Sequence, residues 1–349
     1  MQQNKLRRQR LVVVAIVALV LLAILLVILD WSDIRQVVGK ASWEWTLVAL
    51  LFTVISYLCL SFGYVIVNRV FGIGIGWREL LQVGLVSTAL NNILAFLGAA
   101  GHSLRLALIR RPGVAAGEIL AASIFHSYLN NIMMLFLLAV GLISLLASHT
   151  VYGGGTISLG FITGALVLSL VIATAILLIS RLRTWVLRTF NAVWHLVARR
   201  DLTPVLSDLD HALGHGVAAL RAYKVTMALL VALMAATWAF AAAAVWFCLD
   251  AFGEPPGIGV LLSGFGISIS AGNISMLPGG LGVQEATMAG AYSLLGISFS
   301  QGVLAAILFQ VVYDFIPFFA SLTLYRRLLR EHKRANEPTD KDQGFLNED

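Results

Sequence analysis

The chain is short of charge. Only 12% of its 349 residues are Asp, Glu, Lys or Arg, against 59% hydrophobic residues, and its mean hydropathy is +0.88. A soluble protein of this length needs far more charge to cover its surface. The scarcity therefore excludes a water-soluble globular domain and predicts an all-α, polytopic helical membrane protein. Cysteine is nearly absent: Cys59 and Cys248 both fall inside apolar runs, which supports neither a disulfide framework nor a metal site. No Walker-type phosphate loop or other ATP-binding pattern occurs. The formal net charge of +6 is not a nucleic-acid signal, because the basic residues gather beside the ends of apolar runs.

What the chain does have is a series of long hydrophobic runs. Lys5, Arg7, Arg8 and Arg10 precede the run 11–29, which is long enough to span a bilayer. Asp30-Trp31-Ser32 follows without a small-residue cleavage pattern, so this run reads as an uncleaved signal anchor. Further runs lie at about 43–67, 79–98, 116–147, 157–180, 225–249, 259–277, 282–296 and 301–325. If each crossed once, Arg105, Arg110, Arg111 and the basic segment 181–224 would all lie outside, against the positive-inside rule. If 79–111 instead dips in from the cytoplasm and returns, only Arg35 and Lys40 of the 24 basic residues lie outside. The same reasoning makes 259–298 a hairpin entering from outside, after the acidic loop 250–256.

The expected fold is thus six full spans plus two opposed re-entrant hairpins in an inverted repeat, with halves near 1–150 and 151–330. Both termini lie in the cytoplasm, and the membrane is the cytoplasmic (inner) one. Residues 1–335 form one membrane domain, 181–224 give interfacial cytoplasmic helices on the anionic inner leaflet, and 336–349 are a disordered tail. His211 and His215 beside Asp208 have the spacing of metal ligands on one helix face, yet suit a solvated cytoplasmic helix better.

The two hairpins carry matching residues. Asn92-Ile93, Gly98 and Gly101 pair with Asn273-Ile274, Gly279 and Gly282, and Leu120-Ala121-Ala122 with Phe125 pairs with Leu304-Ala305-Ala306 and Phe309. Each copy sets a Gly-rich, polar break inside an apolar stretch, and non-helical backbone at that depth is tolerated only beside protein or a watery cavity. In the first, Gly98 and Gly101 permit the reversal, His102 follows, and Arg105 lies one turn into the second arm, suited to a phosphate at a helix start. Arg110 and Arg111 read as positive-inside anchors. In the second, Pro278, Gly279, Gly280 and Gly282 enforce the break, and Gln284 and Glu285 open a new half-helix. Glu285 suits capping at that start, but a carboxylate at hairpin depth is also a functional candidate. The runs that follow add His126 and Asn130 in one half and Gln310 and Asp314 in the other, four apart and so on one helix face. Asn131 and Tyr313 read as interhelical hydrogen-bond glue.

Residues 277–285, Leu-Pro-Gly-Gly-Leu-Gly-Val-Gln-Glu, with Gly296-Ile297 and a final helix, resemble the signature of the lysylphosphatidylglycerol synthase transmembrane, or flippase-like, family. The stretch from Gly98 to Arg105, then Arg110-Arg111-Pro112-Gly113-Val114, resembles that family's other signature, and the resemblance covers most of 10–330. It implies a lipid translocase: members move aminoacylated phosphatidylglycerol, and others are implicated in handling glycosylated or polyprenyl lipids. Three departures accompany it. No aminoacyl-transferase domain follows the last run, so lipid synthesis is not expected. Gln284 stands where the family commonly has Arg, and His126-Ser127 where an acidic–Arg pair is common. The candidate substrate-binding residues are Asn92, Gly98, Gly101, His102, Arg105, His126, Asn273, Pro278, Gly279, Gly280, Gly282, Gln284, Glu285, Gln310 and Asp314. No catalytic residue, cofactor, metal or nucleic acid is called for; the partners are the lipid substrate and the anionic inner leaflet, with homo-oligomers left open. An intramembrane enzyme or accessory subunit acting on a lipid head group is the competing expectation, with His102 or His126 as base and Glu285 as acid.

Overall fold

Backbone polar groups at membrane depth find no water, so an apolar chain must pair them within its own helices. The computed structural model describes residues 42–94, 99–109, 114, 116–147, 154–198, 203–253, 256–275 and 277–336, and among these every regular element is helical. The run 11–29, Gly98, Arg110, Arg111 and the tail beyond Asn336 lie outside the described residues.

In chain order the helices are α1 (Trp43–Val70), α2 (Trp77–Leu94), α3 (Ala99–Ile109), α4 (Ala116–Ala147), α5 (Gly154–Leu178) and α6 (Ser180–Ala198). There follow α7 (Thr203–Ala222), α8 (Lys224–Asp250), α9 (Ile258–Ile274), α10 (Val283–Leu294), α11 (Phe299–Gln310) and α12 (Ile316–Asn336). A short 3₁₀ turn, Pro278–Gly280, separates α9 from α10, and a wide π turn, Val311–Phe315, joins α11 to α12. Four stretches are long and apolar enough to cross a membrane: Trp43–Val70, Gly117–Ala147, Lys224–Asp250 and Phe299–Leu328. A fifth is added if α5 and α6, which meet at 95°, count as one broken span.

The order long, medium, short, long occurs twice. α1 starts at residue 43 and α8 at 224, 181 positions later; α2 starts at 77 and α9 at 258, again 181. α3 starts at 99 and α10 at 283, which is 184. The corresponding helices α1 and α8 pack together and run antiparallel. Ser42 N–H donates to the Ala251 carbonyl at one end (3.0 Å), and Ser56 Oγ donates to the Thr237 carbonyl in the middle (2.8 Å). The rings of Trp45 and Phe52 stack on Phe247 beside the same seam.

α4 and α9 form a second antiparallel seam built on small residues. A Cβ placed on Gly141 would lie 2.7 Å from the Ser263 nitrogen, and one on Gly259 would lie 2.8 Å from Ser144 Oγ. Without side chains the two backbones approach closely, the usual route to van der Waals packing between helices in lipid. α2 packs in turn against α12, so each medium helix rests on the long helix of the other half.

α6 and α7 form a corner off this bundle. Arg183 is buried, pairs with Asp210, and donates through Nη1 to the Leu177 carbonyl (3.1 Å). Arg221 Nη2 donates to the Leu178 carbonyl (3.0 Å). These carbonyls end α5 and have no partner in their own helix, so the arginines hold the right-angle bend. Thr184 Oγ1 also donates to Asp210 (2.8 Å). Burial pushes the Asp210 carboxyl up, but the bonds from Arg183 and Thr184 outweigh it and hold the group below its usual value of 3.8. Asp208, His211 and His215 lie on the exposed face of α7.

Candidate functional site

Proline removes the N–H that would bond four residues back, so Pro317 leaves the Tyr313 carbonyl without an α-helical donor. The chain winds through the π turn at this point, and Ile316 N–H reaches back to the Val311 carbonyl. Tyr57 supplies the missing donor: its hydroxyl donates to the Tyr313 carbonyl at 2.8 Å. The same hydroxyl accepts from Asn92 Nδ2 (2.9 Å), which also donates to Asp314 Oδ1 (3.1 Å). Ser56 Oγ and the Tyr313 hydroxyl share a further bond of 2.9 Å. One network thus ties α1, the end of α2 and the π turn together, and it fixes Asp314 at a cavity wall.

That cavity has a volume of about 390 Å³ and lies between the α2–α3 and α9–α10 breaks. Of the residues expected from sequence, Asn92, His102, Arg105, His126, Asn273, Gly279, Gly280, Gln284 and Asp314 line it. The second break touches the end of α2: a Cβ on Gly279 would lie 3.0 Å from the Asn92 carbonyl oxygen. Gly279 and Gly280 take φ of +63° and +64°, the left-handed region that a side chain disfavours, so glycine serves both the turn and the close approach.

Arg105 is 6% exposed and has no carboxylate partner among the described residues. Its Nε donates to Ser87 Oγ (2.9 Å), its guanidinium carbon sits 4.3 Å from the centre of the Tyr64 ring, and Nη1 has no hydrogen-bond partner. The ring contact contributes about 2 kcal/mol when desolvated, less than the several kcal/mol an uncompensated buried ion costs. His126 bonds the Leu60 carbonyl through Nε2 (3.0 Å), and neither its Nδ1 nor that of His102 has a partner. On the α9 side, Asn273 reaches only the Met134 sulfur among the described residues, at 4.0 Å.

Other expected residues lie off the cavity wall. Gly282, with φ +83°, precedes α10, and its N–H donates to Glu285 Oε2 at 2.7 Å. Glu285 therefore caps its own helix and does not line the cavity, because a carboxylate at the third helical position folds back onto the free N–H groups of the start. Gln310 is buried but is not among the lining residues, since the π turn re-aims Asp314 relative to the turn before it. Pro278 opens the 3₁₀ turn, and Gly101 lies in the first turn of α3, which begins at Ala99.

The sequence reading missed Tyr57, Tyr64, Ser87, Thr88 and Trp238. A signal existed in α1, where Thr53, Ser56, Tyr57, Ser61, Tyr64 and Asn68 recur at three- and four-residue spacing in an apolar helix, and all are buried. Trp238 stands 181 positions after Tyr57 and, like it, donates to a carbonyl of the long helix opposite, here Asn130 (2.8 Å).

Fold and cavity together define a multi-pass helical membrane protein with a polar pocket among its helices. The chain belongs to the lysylphosphatidylglycerol synthase TM region family, whose model matches residues 11–321. That family places it among membrane proteins acting on lipids. No curated protein matches the chain.

Proposed function

We propose that the protein is a lipid translocase of the cytoplasmic membrane, in which a head group crosses through the cavity while its acyl chains stay in the bilayer. The observation that carries this reading is Arg105, a buried cation with no carboxylate partner among the described residues, lining the same cavity as Asp314. A phosphate supplies the partner Arg105 lacks, and bidentate guanidinium–phosphate pairing is among the strongest charge-assisted contacts. A cationic or hydroxylated head group then meets Asp314 and Gln284, with Asn273 free to bond it. His102 and His126 add further polar groups beside the phosphate. Glu285 holds the helix that presents Gln284.

Six crossings, two opposed re-entrant breaks and halves related by inversion accompany this reading, with both termini inside. Its support is that α1 and α8, equivalent by spacing, run antiparallel and touch at the equivalent residues Ser56 and Thr237. Rocking of one half on the other about this seam would open the cavity to either face. In a chain with Cys59 and Cys248 replaced by Ala, cysteine at Ala100 reacts with an impermeant reagent from the cytoplasm and cysteine at Leu281 from outside. Labelling of both from one side removes the inversion.

The function is tested with the whole chain in liposomes carrying head-group-labelled phospholipids. Wild-type protein moves label between leaflets without altering it, whereas Arg105→Ala and Asp314→Asn, folded and reconstituted at equal density, do not. Equal rates in variants and wild type, or a chemically altered lipid, would overturn the proposal.

A further inference from the structure

A second concavity lies away from the central cavity. It is an open groove of about 530 Å³ along the start of α8, lined by Arg221, Lys224, Met227, Ala228, Val231 and Ala232. None of these lines the central cavity. Only Tyr223 separates α7 from α8, so Arg221 and Lys224 stand one turn apart at the groove's end. The apolar residues continue the same face at spacings of three and four. Ala228 and Ala232 leave the trough empty, and neighbouring Val225 and Leu229 project at 83% and 49% exposure.

The two cations differ in how they are engaged. Arg221 uses Nη2 on the Leu178 carbonyl, while Lys224 has no hydrogen-bond or ion-pair partner among the described residues. The trough continues onto α8, a helix long and apolar enough to span, while its basic end sits at the α5–α6 bend.

We infer that this groove holds one anionic phospholipid, its phosphate between Arg221 and Lys224 and an acyl chain along Met227, Ala228, Val231 and Ala232. The charge selects the occupant. A bare apolar trough would accept any chain, and a bare pair of cations any phosphate, but the two in line fit a lipid that carries both. Because Arg221 also caps α5, the bound lipid joins the corner of α5 and α6 to α8 and stabilises the folded corner by mass action. This inference does not rest on translocation through the central cavity.

The test is native mass spectrometry of the full chain titrated with phosphatidylglycerol or phosphatidylcholine, in an Arg105→Ala background so that central binding is suppressed. The expected result is one phosphatidylglycerol bound in preference to phosphatidylcholine. Binding falls about tenfold or more in Arg221→Gln/Lys224→Gln, as loss of two cations near a membrane surface requires. Ala228→Leu, which fills the trough and leaves the charges, lowers it as well. Equal retention in the variants, equal binding of both lipids, inorganic phosphate displacing the lipid in full, or a change in oligomer content with lipid retention unchanged would each overturn the inference.

Discussion

Asn92 and Asn273 stand 181 residues apart near the ends of α2 and α9, and their amides are used differently. Asn92 donates to both Tyr57 and Asp314, whereas among the described residues Asn273 reaches only a methionine sulfur at 4.0 Å. The surroundings differ in kind as well. Beyond the first break come His102 and Arg105, whereas the second holds three positive-φ glycines and is followed by Gln284 and a self-capping Glu285. Helices of matching order thus carry unlike side chains, which give the cavity a cation, a carboxyl group and amides on its wall.

The largest expected effect removes the cationic side of this comparison. Arg105→Ala should slow lipid movement by about tenfold or more, because a hydrogen bond to a charged group contributes about 1.5–3 kcal/mol. Arg105→Lys should restore part of the rate in the same liposome assay, since the charge returns without the planar fork. An unchanged rate in Arg105→Ala would remove the phosphate from the reading.

The next test sets a glycine at the contact with α2 against one away from it. Gly279→Ala should destabilise the protein by about 1–3 kcal/mol, through its positive φ and its approach to the Asn92 carbonyl. Gly290, inside α10 with open space around it, should gain about 0.5–1 kcal/mol on conversion to Ala. Thermal unfolding in detergent checks both, and the reverse order would mean that Gly279 does not approach the end of α2 as described.

The two asparagines can be compared directly. Asn92→Ala leaves a buried carboxylate without its donor and should cost about 1–3 kcal/mol, whereas Asn273→Ala should stay within about 0.5 kcal/mol in the same unfolding measurement. Equal losses would show that the two ends are held alike.

The smallest effect lies at the corner of α6 and α7. Asp210 titrates below its unfolded value of 3.8, so its pairing with Arg183 stabilises the fold above that pH. The contribution is lost as pH falls through the lowered value. Asp210→Asn should abolish this acid-side dependence of the unfolding temperature, by an amount small enough for a partly exposed pair. Persistence of the same dependence in the variant would assign it elsewhere.

Much of the scaffold was legible. Pro278 and its glycines announce the second break, and α10 begins just after Gly282 as their chemistry requires. Basic, aromatic-rich 181–224 reads as helical, and it forms α6 and α7. The site was legible in part. Nine of the expected residues meet at one cavity, but Glu285 turns back to cap α10, and Gln310 loses its shared face with Asp314 at the π turn. Tyr57 and Trp238 were passed over because each lies in an unbroken apolar helix, and only its partner across the bundle gives it a role.

The sequence by itself determined that the chain is a helical membrane protein, where its helices break, and that its two halves share an order. These follow from local physics: apolar run length, the missing N–H of proline, and the backbone freedom of glycine. Only the tertiary structure decided which polar groups face one another. It set Asn92 between Tyr57 and Asp314 and left Arg105 without a carboxylate among the described residues. Those outcomes depend on side-chain direction and on contacts between residues more than 200 positions apart, which no local pattern encodes.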